Sequence, residues 1–172
     1  MKQPVMVSRR TTIWLALAIV AATAIMMTAV LLHLVRLPFT PIDILGVVNS
    51  PQHWTGWIGS IIILTVTTWY VYAKRGRHAT TTNTLRLHAF GNLIGFLLVS
   101  THFAHQISRS PTSYPDLGTG VVQYAAVLIL VATGLTTFFA VKPEWIRYYK
   151  FLHPAAAMTL LMSIILHIIH GL

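Results

Sequence analysis

The sequence predicts an all-α integral membrane bundle of five transmembrane helices, forming one domain over residues 1–172. Three observations predict it. First, hydrophobic residues make up 55% of the chain and charged residues 9%, against about 25% charged in an average soluble domain. Second, five apolar stretches are long enough for spans of about 20 residues, and together they fill most of the chain. Third, ten of the twelve Lys and Arg residues fall in alternate connections, all on one side of the membrane. Lys2, Arg9 and Arg10 precede the first stretch. Lys74, Arg75, Arg77 and Arg86 follow the second, and Lys142, Arg147 and Lys150 follow the fourth. The opposite connections hold only Arg36 and Arg109. The positive-inside rule then puts the N-terminus in the cytoplasm and the C-terminus outside.

The first span is expected at 12–35. It follows basic residues as a signal peptide would, and Ala22-Thr23-Ala24 resembles a cleavage site. The apolar run is too long for that, so it reads as a retained helix. The second span is expected at 54–74. Trp54 and Trp57 open it and Trp69, Tyr70 and Tyr72 close it, as anchors at the two interfaces. The connection from Leu37 to His53 contains Pro38, Pro41 and Pro51 and suits a short interfacial turn. The third span is expected at 85–108, with an N-cap region in Thr80-Thr81-Thr82-Asn83-Thr84. The fourth is expected at 119–141, after the turn-rich Ser108–Leu117. The fifth is expected at 148–171, with Trp145, Tyr148 and Tyr149 at its cytoplasmic entry.

The net charge of +9 does not indicate a nucleic-acid partner, because the basic residues cluster between apolar spans, where they set topology. The expected partner is membrane lipid, and the expected location is the cell membrane. The chain has no cysteine. That excludes disulfides, thiolate nucleophiles and cysteine-held iron–sulfur clusters within it.

The nine histidines carry the chemistry. Ionisable residues within a bilayer are costly and generally face the bundle interior, and neutral imidazole is a common metal ligand. His88 and His102 are fourteen residues apart on the third span, and His153 and His167 are fourteen apart on the fifth. Fourteen residues rise about 21 Å and fall about 40° short of four turns, so each pair shares a helix face. The two spans are separated by one crossing and run parallel. Pairing by depth matches His88 with His153 near the cytoplasm and His102 with His167 towards the outside. This suits two stacked haems, each held by one histidine from each helix. Each histidine taken alone is better read as a structural residue bonded to a nearby carbonyl, and it is the two depth-matched pairs that favour haem.

His33, His53, His105 and His170 map near the outer face, while His78 lies in a basic cytoplasmic connection. The outer four suit a second metal site, a quinol proton acceptor or a hydrogen-bonded shell around the outer site. A shifted register with His105 and His170 as ligands would place them about 100° off the inner pair's face. Arg86, Arg147 and Lys150 are candidate propionate contacts at the inner level, and Arg109 and Arg36 at the outer. Gly91, Gly95, Gly120 and Gly134 are candidates for close approach of a flat macrocycle, and equally for ordinary helix packing.

Over residues 54–172 the chain resembles the transmembrane domain of ferric reductases and NADPH oxidases. The residues that carry the likeness are Leu87-His88-Ala-Phe-Gly-Asn followed by His102, and Trp145-Ile-Arg-Tyr-Tyr-Lys-Phe-Leu-His153-Pro followed by His167. The resemblance implies two haems b between the third and fifth helices, with His88, His102, His153 and His167 as ligands and outward electron flow. The family commonly has six helices, and its large members carry a flavin and nicotinamide domain not found in these residues. The histidine pattern is also similar to the cytochrome b of quinol-oxidising complexes. The expected function is that of a dihaem b-type cytochrome carrying electrons across the bilayer, as a subunit of a larger complex fed by quinol or another redox subunit. The alternatives are a stand-alone outer-face reductase of metal ions or oxygen, and a haem-free copper-binding membrane subunit.

Overall fold

The computed structural model describes residues 9–36, 38, 40–44, 47–76, 82–109, 118–141 and 143–170. Lys2, Arg77, His78, Lys142 and the Thr80-Thr81 part of the expected cap lie outside them. The elements in order are α1 (Arg9–Leu31), a hairpin of β1 (Ile42–Ile44) and β2 (Val47–Asn49), α2 (Pro51–Arg75), α3 (Thr82–Ile107), α4 (Gly118–Phe138), a 3-10 turn (Pro143–Trp145) and α5 (Ile146–His170). All five α-helices are long and apolar enough to cross a membrane, so the chain is a multi-pass membrane protein.

The spans match the expected order with shifted ends. α1 stops at Leu31 because His33 (φ 58°) turns the chain. Leu34 N–H reaches the Ala29 carbonyl at 2.8 Å and His33 N–H reaches that of Val30 at 2.9 Å, the pattern of a left-handed C-terminal cap. α4 ends the same way at Ala140 (φ 50°), with Val141 N–H to the Thr136 carbonyl at 3.1 Å. Neither cap uses glycine. The expected interfacial turn before α2 is the antiparallel β1–β2 hairpin, with Ile42 opposite Asn49. Trp54 Nε1 ties it to α2 by donating to the Ile42 carbonyl at 3.2 Å. α5 continues through Pro154, which has no N–H to offer the Lys150 carbonyl.

α3 is the hub. It packs closely on α1, α2 and α4, and α4 packs closely on α5. On α1 a narrow stripe of Thr12, Ala16, Thr23 and Val30 is buried, while Trp14, Leu17 and Ile25 are exposed, as in a helix with lipid on most of its circumference. The α2–α3 crossing is built on glycine. A methyl group at Gly95 would lie 2.5 Å from Ile63 Cγ1 and 3.0 Å from the Gly59 carbonyl, and one at Gly91 would lie 2.7 Å from Val66 Cγ1. Gly91 and Gly95 therefore admit α2 and not a macrocycle, which corrects that candidate role.

α3 and α5 are not among the closely packed backbone pairs. Side chains bridge them. At mid-height Phe96 of α3, Tyr124 and Val127 of α4 and Leu160 of α5 join one buried apolar cluster. Tyr124 stacks on Phe103 at 4.2 Å. Its hydroxyl lies 3.1 Å from Ser100 Oγ and 2.9 Å from Met27 Sδ, joining α4 to α3 and α1.

Candidate functional site

The inner level comes together as the spacing implies. The His88 and His153 rings lie edge-on to each other with centroids 6.4 Å apart and planes at 74°. Two imidazoles bound on opposite sides of one metal, with bonds of about 2 Å and a ring radius of about 1 Å each, have centroids about 6 Å apart. The helices supply the offset through side chains, because their backbones do not meet at close range.

The nitrogen partners decide what each ring can offer. His153 Nδ1 lies 2.9 Å from Thr133 Oγ1. The Thr133 hydroxyl donates its hydrogen to the Ile129 carbonyl at 2.6 Å, so its oxygen is left to accept, and Nδ1 must carry the proton. His102 Nδ1 donates to the Gln52 carbonyl at 2.7 Å, which can only accept. In both rings Nε2 is then the nitrogen with a free lone pair. A metal-ligating histidine commonly donates its second ring nitrogen to such a group. His167 Nδ1 lies 2.9 Å from Thr119 Oγ1. At His88 the neighbour is Asn92, whose Nδ2 is 3.1 Å from Nδ1 and donates to the His88 carbonyl at 2.6 Å. At His88, Nδ1 thus faces an amide donor, and the ring also has a hydrogen bond to the Val66 backbone.

Neighbouring helices also shape the rings' seats. Tyr70 stacks on His88 with centroids 4.4 Å apart and planes at 25°. Its expected role as an interfacial anchor is incomplete, whereas Trp69 and Tyr72 are exposed in keeping with that role. A methyl group at Gly56 would lie 2.9 Å from His102 Cγ, and one at Gly134 would lie 3.3 Å from His153 Cε1. Gly134 thus admits a ligand ring, while Gly120 has nothing within 4 Å of such a methyl group.

At the outer level His102, His53, His167 and Arg109 are close enough to interact electrostatically. His53 lies with its ring centroid 5.7 Å from that of His102 and its Nδ1 2.7 Å from Ser50 Oγ. His33 and His105 are placed differently. His33 is exposed at the α1 cap. His105 is buried, and its Nε2 has no hydrogen-bond partner. The His170 side chain lies outside the described residues. Among the described residues no group of three or more His, Cys, Asp or Glu side chains could hold a metal ion.

Among the basic candidates, Arg147 is exposed and rests on Tyr148, with Nη2 2.8 Å from the hydroxyl and the guanidinium 4.8 Å from the ring centre. Lys150 and Arg36 are exposed, while Arg86 and Arg109 are half-buried. Sequence reasoning missed Tyr70, Asn92, Thr119, Thr133, Gly56 and the Gln52 carbonyl. Only the threonines carried a signal, as explained below. Comparison of the chain with protein-family models, with curated proteins and with solved structures finds no match to any of them.

Proposed function

We propose that the protein is a dihaem b-type membrane cytochrome that carries electrons across the bilayer as part of a larger redox complex. The observation that carries this reading is the His88–His153 pair, brought together from α3 and α5 with a ring separation of 6.4 Å. The residues present fit a haem at the inner level. His153 offers Nε2 because Thr133 accepts from Nδ1–H, and His88 would offer a ring nitrogen on leaving its contacts with Asn92 and the Val66 backbone. At the outer level His102 and His167 would be the ligands, with His102 held ready by the Gln52 carbonyl.

Bound at these positions, haem supplies a one-electron iron couple. The chain's own residues orient the imidazoles and exclude water. The Phe96, Tyr124, Val127 and Leu160 cluster lies between the two histidine levels, since Phe96 falls between His88 and His102 in α3, and Leu160 between His153 and His167 in α5. Arg86 and Arg147 are suited to propionates at the cytoplasmic level and Arg109 at the outer one, by charge and position. The cell membrane is the proposed location. Quinol or a partner subunit is the proposed electron donor, and outward electron flow is what the family resemblance implies.

The test is haem quantitation with reduced-minus-oxidised spectra on the purified protein. Two low-spin b haems per chain are expected. His88→Ala and His167→Ala should each remove about one. A wild-type chain purified without haem from haem-replete cells would overturn the reading, and unchanged stoichiometry in the variants would overturn the ligand assignment.

A further inference from the structure

The histidine interval has a counterpart on a helix that carries no ligand. Thr119-Gly120 and Thr133-Gly134 of α4 are also fourteen residues apart. α4 and α5 run antiparallel in one register. Thr119 Oγ1 meets His167 Nδ1 at 2.9 Å, Gln123 Nε2 donates to the Ser163 carbonyl at 2.8 Å, and Thr133 Oγ1 meets His153 Nδ1 at 2.9 Å. Each step forward along α4 equals the step back along α5. A fourteen-residue repeat on α4 therefore meets a fourteen-residue repeat on α5 at both ends.

We propose that α4 is an alignment helix whose Thr119 and Thr133 hold Nδ1 of His167 and His153, so that both α5 histidines present Nε2 to their ligand. The claim rests on the dihaem reading and adds positioning residues that touch neither metal nor substrate. At the inner end the device is fully specified. The Thr133 hydroxyl donates to the Ile129 carbonyl, its oxygen accepts from Nδ1, and the Leu130 backbone is a second acceptor beside the ring. Gly134 leaves room for the imidazole to lie flat on α4. At the outer end Thr119 is in the first turn of α4, where a hydroxyl lacks a helical carbonyl four residues back. The 2.9 Å contact of its oxygen with His167 Nδ1 fits either direction of donation, and the alignment role requires the proton on Nδ1 there, as at His153. Isolated threonines in an apolar helix usually bond back to their own backbone, as Thr136 does to the Ala132 carbonyl. Thr119 and Thr133 differ in facing a histidine at each end of one register.

The test compares Thr133→Val, Thr119→Val, the Ser variant at each position and Thr136→Val in the full chain. Three readouts are taken: haem number, the two midpoint potentials, and imidazole 15N shifts from labelled histidine. Thr133→Val should shift one potential and the low-spin electron-resonance signal of one haem, or reduce haem number to about one. Thr119→Val should do the same for the other haem. Serine should restore each, and Thr136→Val should change neither. The 15N shifts should report a proton on His153 Nδ1 in wild type, and a changed pattern in Thr133→Val. Two haems with unaltered potentials, signals and 15N shifts in both Val variants would overturn the alignment role while leaving the dihaem reading intact. A wild-type chain without haem would remove both.

Discussion

Single residues at this site act mainly through what they let a neighbour do. Gly56 shows it on α2. Its missing side chain lets the His102 ring lie against the helix, where the Gln52 carbonyl receives Nδ1–H at 2.7 Å. A methyl group there would come within 2.9 Å of His102 Cγ, so Gly56→Ala should displace the ring and reduce outer haem occupancy. The measurement is haem per chain, with the inner haem spectrum retained. Ala140 shows a different economy. Its φ of 50° is the left-handed conformation that costs an L-residue about 1 kcal/mol or more. Ala140→Gly should therefore raise stability by about 1 kcal/mol, read from unfolding in detergent. His33 holds the equivalent position at the end of α1, which gives it a structural task without any metal.

Pairs of elements divide the work between holding the bundle and holding the histidines. α2 and α3 approach to backbone distance through Gly59, Gly91 and Gly95. Gly95→Ala would force its methyl to within 2.5 Å of Ile63, and overpacking of this kind costs about 1–3 kcal/mol. It should lower the unfolding midpoint clearly, while Gly120→Ala, with nothing within 4 Å, should leave it almost unchanged. α3 and α5 are kept apart and linked by the Phe96, Tyr124 and Leu160 cluster. Leu160→Ala would open a cavity in that cluster at a cost of about 2–5 kcal/mol, measurable in the same unfolding assay. The number and order of the spans were legible from hydropathy, while ends such as Leu31 and Phe138 were set by the caps at His33 and Ala140. The helix partners were not, since Gly91 and Gly95 read equally as spacers for α2 or for a macrocycle until the crossing was seen.

At the scale of the whole molecule, orientation in the bilayer follows from charge. Because the chain contains no cysteine, Asp43→Cys in the β1–β2 hairpin and Gly76→Cys after α2 are clean reporters. An impermeant thiol reagent applied to intact cells should label the first and spare the second. The reverse pattern would invert the assigned topology and the proposed direction of electron flow. The sequence alone determined the number of spans, their order and the axial spacing of the paired histidines, because a bilayer demands apolar runs of set length and a helix has a fixed rise per residue. It also held the fourteen-residue repeat of Thr119 and Thr133, although nothing in one dimension tied that repeat to His167 and His153. Only the tertiary structure decided which ring nitrogen meets which partner, that Tyr70 stacks on His88, and that His53 lies beside His102 while His33 stands at the α1 cap. Those outcomes depend on helix rotation and register. These are fixed by side-chain packing between helices, and the apolar periodicity of a lipid-exposed span does not encode them.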